Sequence, residues 1–361
     1  MKKTLLAAAL MAGFAGIAQA ETSVTLYGIV DAGVGYDRTK THVNGEKQTR
    51  TGLLQGVQSG NRWGLKGTED LGNGLRATFQ LESGFELATG NQLQSDSSND
   101  RLFGRWATLG LAGDSWGRLD MGRQTTVGSQ YFVDVHGQHW DATGSGRAFR
   151  GQDTNRIDNS IIYQTPNFSG FQAGVGYSFQ ANGGQVAKVS GSKDVNKSAI
   201  TTGIRYANGP IAVAASYDQV RLPVPGVAEK YKNGQTWAVS GSYDFEVVAL
   251  SLAFGQDFNG NYTSAYGANR TYNKNFDYNN YAVALAFPLG EGKLSGEYSM
   301  KQPRKAAKDA GEKKQHAYSL AYKHPLSKRT DVYAVGGYVK NLNNQNKDTR
   351  TVAGVGLTHR F

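Results

Sequence analysis

Residues 171–179, FQAGVGYSF, decide the fold because apolar side chains alternate along them with small or polar ones. In an extended strand, Phe171, Val175 and Tyr177 would lie on one face, and Gly174 and Ser178 on the other. The same alternation recurs at 200–206, 248–254, 281–287, 318–322 and 353–361. The sequence therefore predicts an all-β protein.

Alternation alone fits a soluble β-sandwich as well as a transmembrane β-barrel, whose apolar face meets lipid. Three features favour the barrel. Many apolar faces begin or end in Tyr, Phe or Trp, as the aromatic belts at membrane interfaces do. The opposite faces carry Gly, Ala and Ser rather than the Lys and Glu of a solvated surface, and short connections alternate with long ones.

The connections predict the number of strands. Seven short turns lie at 70–74, 113–115, 166–170, 208–209, 244–246, 289–292 and 325–327. Eight longer polar segments lie at 40–57, 88–100, 124–155, 181–197, 220–234, 256–276, 302–314 and 341–349. Outer-membrane barrels place short turns in the periplasm and long loops outside. We therefore expect a transmembrane antiparallel barrel of about 16 strands, which leaves an aqueous channel.

Composition excludes several other classes. The chain has no cysteine, so the fold must be held without disulfides. It also lacks an apolar run of 18 residues, which predicts no helical membrane span. The net charge of +10 comes from Lys and Arg residues that are spread along the chain. Nucleic-acid binders usually cluster them, so no nucleic-acid partner is expected.

The first 20 residues predict a signal peptide. Lys2 and Lys3 precede an apolar run, and the segment ends in the small-x-small pattern that signal peptidase cleaves after, at Ala20. A membrane anchor is the alternative, but it would need a longer apolar run. We expect residues 21–361 to form one barrel domain.

The chain ends on a strand-like segment whose last residue is aromatic. Every second residue from Ala353 to Phe361 could face lipid. A terminal aromatic residue in this position resembles the signal that the barrel-assembly machinery reads, so His359 and Phe361 are predicted to direct assembly. The alternative is an ordinary last strand with an incidental Phe361.

Five segments resemble the general porins of β-proteobacteria, a family of trimeric Gram-negative outer-membrane porins. They are SVTLYGIVDAG at 23–33, NRWGLKGTEDLGNGL at 61–75, GRLDMGRQ at 117–124, YQTPNFSGF at 163–171 and VGLTHRF at 355–361. The similarity covers essentially the whole mature chain. It implies a homotrimer in outer-membrane lipid whose third external loop narrows each pore, and passive diffusion of small hydrophilic solutes and ions.

The resemblance also implies a row of arginines on the pore wall, which motif matching assigns to Arg62, Arg105 and Arg156. Alternation independently turns Arg62 and Lys66 inward, and it turns Arg156 inward if Ile161 faces lipid. The alternation around Arg105 is not clean. Guanidinium groups in a narrow lumen concentrate anions and repel cations, so we expect anion selectivity. The alternative is that these arginines only solvate the wall.

The segment 124–155 is the longest connection and the candidate constriction loop, because its glycines would let it fold back into the barrel. Asp134 and Asp141 are candidate acidic partners of the arginine wall. Simple solvation of both carboxylates is an equally good interpretation.

Other functions have weaker support. No nucleophile motif is present, and His136 and His139 lack a carboxylate at a spacing that would complete a metal site, so no enzyme, metal or cofactor is expected. A structural or adhesive barrel would fill its lumen with bulky side chains. A substrate-specific outer-membrane channel stays open as the closest alternative.

Overall fold

The computed structural model describes residues 23–42, 45–94, 100–136, 148–149, 155–188, 190–191, 193–228, 230–260 and 271–361. The predicted signal peptide and the candidate residue Asp141 lie outside these ranges. Within them, no helix combines the length and the apolar character needed to cross a bilayer.

The described chain forms one antiparallel sheet of eighteen strand segments. In chain order they are β1 Ser23–Lys40, β2 Lys47–Gln55, β3 Arg62–Gly72, β4 Leu75–Phe85, β5 Gln92–Leu93, β6 Trp106–Gly113, β7 Gly117–Thr125, β8 Arg156–Gln164, β9 Phe171–Ser178, β10 Ala199–Asn208, β11 Ile211–Pro223, β12 Tyr231–Asp244, β13 Ala249–Phe258, β14 Phe276–Leu289, β15 Gly292–Arg304, β16 Gln315–Pro325, β17 Thr330–Lys340 and β18 Thr349–Arg360. The described helices are α1 Val127–His136 and α2 Lys305–Asp309, with a 3₁₀ turn at Leu342–Asn344.

These segments make a closed barrel of sixteen strands, which confirms the predicted fold. β2 and β3 both pair with β1 and form one barrel strand interrupted at 56–61. β5 is a two-residue piece that pairs with β4 beside β6, so these two also count as one. β1 pairs with β18 from Ile29 opposite Arg360 to Lys40 opposite Thr349. Closure leaves the sheet formed by the described strands without a free edge.

All seven predicted short turns lie between consecutive strands at one end of the barrel. The turn after β3 shows why these residues were informative, because Asn73 and Gly74 have φ angles of 53° and 74°. Asn and Gly adopt such angles more readily than other residues, and tight hairpins need them.

One predicted loop is wrong. Half of the segment 40–57 is strand β2, whose nine residues pair one by one with β1. A barrel strand that extends beyond the bilayer does not need an apolar face. The polar composition of this segment therefore did not distinguish a strand from a loop.

The two faces of the wall differ as the alternation predicted. Leu109, Leu320 and Val355 point outward and are 61%, 58% and 56% exposed, whereas their neighbours Thr108 and Ala321 are buried on the lumen side. Large apolar side chains exposed around a whole barrel form a surface that meets lipid.

Candidate pore constriction

The described part of the longest connection lies inside the barrel. It begins with helix α1, which packs against the inner faces of β10, β11 and β12. The buried side chains Tyr131 and Phe132 lie in apolar clusters with inward-facing Ala214 and Ala253. The small residues on the lumen face thus provide the space that the helix occupies.

Two glycines allow the closest approach of α1 to the wall. A Cβ atom at Gly203 would lie 3.1 Å from Tyr131 Cδ2, and one at Gly174 would lie 2.9 Å from Val127 Cγ1. Such contacts are tighter than ordinary packing, so larger residues would push the helix away from the wall.

Hydrogen bonds fix the start of α1 and join the two ends of the loop. Thr126 Oγ1 donates to Asp218 Oδ2 at 2.8 Å and accepts from the backbone N–H of Ser129 at 3.1 Å. The second bond is the usual N-terminal cap of a helix. Ser129 Oγ in turn accepts from the backbone N–H of Asn155 at 3.1 Å.

The change Thr126→Val should loosen the anchored end of α1, because it removes two hydrogen bonds at nearly constant volume. Each is worth about 1 kcal/mol. We expect more current noise in the open channel in single-channel recordings. Thr125→Val is the matched control, since the Thr125 hydroxyl is buried and, among the described residues, has no hydrogen-bond partner. Equal noise in the two variants would contradict the anchoring role of Thr126.

An ion pair and a histidine–carboxylate contact fix the second half of α1. Asp134 forms an ion pair with Arg205 of β10, whose guanidinium lies 4.9 Å from the centre of the Tyr131 ring. His136 Nε2 lies 3.4 Å from Glu297 Oε1 of β15. Arg205 faces the lumen because its neighbour Ile204 is 49% exposed on the outside. Asp134 therefore forms its ion pair with Arg205, on the wall against which α1 packs, and not with the predicted arginine row.

The three predicted arginines lie in one contiguous cluster. Arg62 Nε donates to the carbonyl of Gly60 at 2.9 Å. Arg105 lies beside the same glycine, since a Cβ atom at Gly60 would be 3.6 Å from Arg105 Nη1. Arg156 Nε donates to the carbonyl of Arg105 at 3.1 Å. Three separate parts of the barrel wall therefore bring these side chains together.

The sequence did not identify the carboxylate that pairs with Arg105. Arg105 Nε lies 2.6 Å from Glu82 Oε1, and both residues are buried. Tyr27 Oη also donates to Glu82, at 3.0 Å. Glu82 could have been found from the alternation of β4, which places it on the same face as the buried Thr78.

Two further arginines extend the cluster. Arg101 Nη2 and Arg123 Nη1 lie 2.8 Å and 2.5 Å from the carboxylate of Asp158, and Arg123 Nε donates to the Gly104 carbonyl at 2.8 Å. The arginine cluster is defined by five arginines and the two carboxylates that they contact. Its members are Arg62, Arg101, Arg105, Arg123, Arg156, Glu82 and Asp158. The cluster thus gathers five guanidinium groups and two carboxylates.

Lys66 lies on the lumen face, as predicted. On the adjacent strand β1, Leu26 pairs with Leu65 and is 59% exposed on the outside, so Lys66 and Arg62 point inward. The Lys66 side chain is exposed, and its Nζ lies 5.3 Å from the centre of the Tyr27 ring.

The alternation argument for Arg156 does not hold, although the residue joins the cluster. Asn159 has a φ of 48°, and the register between β7 and β8 shifts between Gly122 and Gln124. Such a bulge inserts one residue and changes the face of those before it. Arg105 lies one residue before β6 begins, and its N–H donates to the Glu82 carbonyl of β4.

The predicted assembly residues lie at the seam of the barrel. Phe361 and Gly28 exchange two backbone hydrogen bonds of 3.1 Å, which continue the pairing of β18 with β1. A Cβ atom at Gly28 would lie only 2.3 Å from Phe361 Cζ, so the ring covers this glycine. His359 Nδ1 lies 2.9 Å from Thr330 Oγ1 of β17.

Comparisons with known proteins agree with this architecture. A family model described as Gram-negative porin matches residues 7–344. An outer membrane porin protein of Bordetella pertussis is 45% identical over 393 aligned positions that cover all of both chains. Outer membrane porin protein 32 of Delftia acidovorans is 32% identical, with 94% of this chain and 90% of the relative covered. The anion-selective porin from Comamonas acidovorans matches with a TM-score of 0.71 and 27% identity, covering 94% of this chain and 100% of that one. Porins are channels rather than enzymes.

Proposed function

Because the chain belongs to the Gram-negative porin family, and is therefore an outer-membrane channel, we propose that it is a general diffusion pore that passes small anions more readily than cations. The observation that carries the proposal is the gathering of five guanidinium groups with two carboxylates in the arginine cluster. Charge of one sign along a narrow lumen raises the local concentration of counter-ions. Arginine suits this role because it stays charged at any physiological pH.

Two other observations support the proposal. On the side of the barrel that holds α1, two cationic side chains each have a carboxylate partner, Arg205 with Asp134 and Lys301 with Asp257 at 2.7 Å. The arginine cluster and Lys66 are thus the densest group of cationic side chains that we describe at the constriction. The related porin from Comamonas acidovorans is itself described as anion-selective.

The charge preference can be tested in a planar bilayer with about 0.1 M KCl on one side and about 0.01 M on the other. A perfectly anion-selective pore would show a zero-current potential of about 59 mV, equal in sign to the chloride equilibrium potential. The wild type should show a potential of that sign. The double change Arg62→Glu and Lys66→Glu should move the zero-current potential toward the potassium equilibrium potential, because both residues face the lumen.

The control is the double change Lys308→Glu and Lys314→Glu, which alters the net charge equally at exposed positions between β15 and β16. Arg105 is left intact because a glutamate there would face buried Glu82, and two close carboxylates destabilise a fold. An equal shift in both double variants would show that the cluster is not the filter. Current that saturates with one solute would favour a substrate-specific channel over general diffusion.

We propose that this porin works as a homotrimer that the barrel-assembly machinery inserts into outer-membrane lipid. Residues 1–20 would then be removed after Ala20, and residues 21–361 would form the mature porin barrel. The family resemblance and the porin relatives support this assembly. Cross-linking of the membrane-embedded protein and N-terminal sequencing of the mature chain test the two parts separately.

A further inference from the structure

The interruption between β2 and β3 is a folded element on the lumen side of the wall. We call residues 56–61 the inward bend. Val57 is buried in an apolar cluster with Leu54, Val335 and Val352. The last two occupy lumen-facing positions, because Val355 on the same strand as Val352 is 56% exposed on the outside. Porin lumens are polar, so an apolar cluster there needs a cover, and the inward bend supplies it.

One carboxylate holds the inward bend in place. Asp31 of β1 accepts hydrogen bonds from three consecutive backbone N–H groups, those of Val57 at 3.1 Å, Gln58 at 3.2 Å and Ser59 at 3.0 Å. The backbone N–H of Asp31 donates to Asn61 Oδ1 at 2.5 Å. The bend is thus attached to β1 at both of its ends.

The same carboxylate connects the bend to the seam of the barrel. Tyr333 Oη donates to Asp31 Oδ1 at 2.8 Å, and Thr358 Oγ1 lies 2.8 Å from Asp31 Oδ2. Asp31 is fully buried. The two carboxyl oxygens of Asp31 can accept this many hydrogen bonds, whereas an asparagine offers one oxygen and two competing N–H groups.

The bend leads directly into the arginine cluster. Its Gly60 carbonyl accepts the hydrogen bond from Arg62 Nε, and the same glycine lies beside the Arg105 guanidinium. The bend belongs to the first strands of the barrel, whereas α1 lies on β10 to β12 in the other half. The lumen therefore has a folded element on each of two facing walls.

We propose that the inward bend is a second constriction element, and that Asp31 is the positioning residue that pins it and thereby orients Arg62 in the pore. The part that concerns Arg62 rests on the proposed anion selectivity. The narrowing of the lumen does not, because it depends only on where the bend lies.

The first test compares Asp31→Asn with Asp37→Asn in the intact, membrane-inserted porin. Asp37 lies on the same face of β1 but bonds to Arg350 and not to the bend. Each change removes one lumen-side carboxylate, which by charge alone should increase anion preference. Pinning predicts the opposite for Asp31→Asn, namely a higher single-channel conductance and a zero-current potential closer to zero. If both variants shift in the same direction at unchanged conductance, the proposal is wrong.

The second test remains decisive if Asp31→Asn fails to fold. The chain has no cysteine, so single cysteines can be labelled selectively. Ser59→Cys on the bend, labelled with a bulky thiol reagent, should reduce conductance, whereas labelled Ser327→Cys in the turn between β16 and β17 should not. Unchanged conductance after complete labelling at Ser59→Cys would overturn the second constriction. A cation-selective wild type would overturn the anion preference alone.

Discussion

Deletion of Phe361 is expected to abolish assembly of the barrel in the outer membrane while leaving export to the periplasm intact. The last residue adds two backbone hydrogen bonds to the seam, and its ring covers Gly28 of β1. Loss of Phe361 shortens the pairing of β18 with β1 at the short-turn end of the barrel. The measurement is the amount of heat-modifiable barrel in the outer-membrane fraction, which should fall to near background.

Two substitutions separate the causes of that loss. Phe361→Ala keeps the backbone bonds to Gly28 and removes only the ring, so a defect as severe as the deletion would identify the aromatic group as the assembly signal. Phe168→Asp is the matched control, because Phe168 is also an exposed aromatic residue near the short-turn end. Wild-type levels of folded barrel without Phe361 would show that neither the seam bonds nor the ring is needed.

Removal of helix α1 should cause the largest rise in single-channel conductance of any change considered for this pore. The helix fills lumen space next to β10–β12, and ionic current grows with the open cross-section. Deleting residues 127–136 leaves enough chain to close the loop, because the N–H of Thr126 already donates to the Asn155 carbonyl at 2.9 Å. The measurement is conductance in symmetric salt for correctly folded protein.

The matched control for this deletion is removal of α2, residues 305–309, which lies against β14 and β15 in an external connection. It should leave conductance nearly unchanged. Equal conductance in the α1 deletion and the wild type would place the narrowest part of the channel elsewhere, and the inward bend would then be the first candidate.

The parts of the fold that could be predicted from the sequence depend on local rules. Alternation identified both faces of the wall, because side-chain direction in a strand repeats every second residue. Turns such as Asn73-Gly74 could be predicted because few residues adopt positive φ angles. Arg62 and Lys66 were placed correctly because no irregularity separates them from the outward-facing Leu65.

The remaining features depend on contacts between distant parts of the chain. Asp31 gives no local signal of its role, since its partners Tyr333 and Thr358 are about 300 residues away. The alternation argument for Arg156 failed because of the bulge at Asn159, since one inserted residue reverses the two faces of a strand. The alternation of β4 could place Glu82 on the lumen face, but its pairing with Arg105 depends on the register of β4 against β6, which the sequence of either strand alone does not contain.

The pairing of β1 with β18 also determines the order in which the chain can be completed. Thr358 and Asp31, which meet at the seam, are separated by 327 residues. Contacts between such distant residues are the slowest to form, because a long loop must close first. Any nascent chain that stops short of β18 keeps two unpaired edges, which invite aggregation and proteolysis. Closure of the seam therefore depends on β18, so only a chain that has been translated and exported through this strand can form a barrel without unpaired edges.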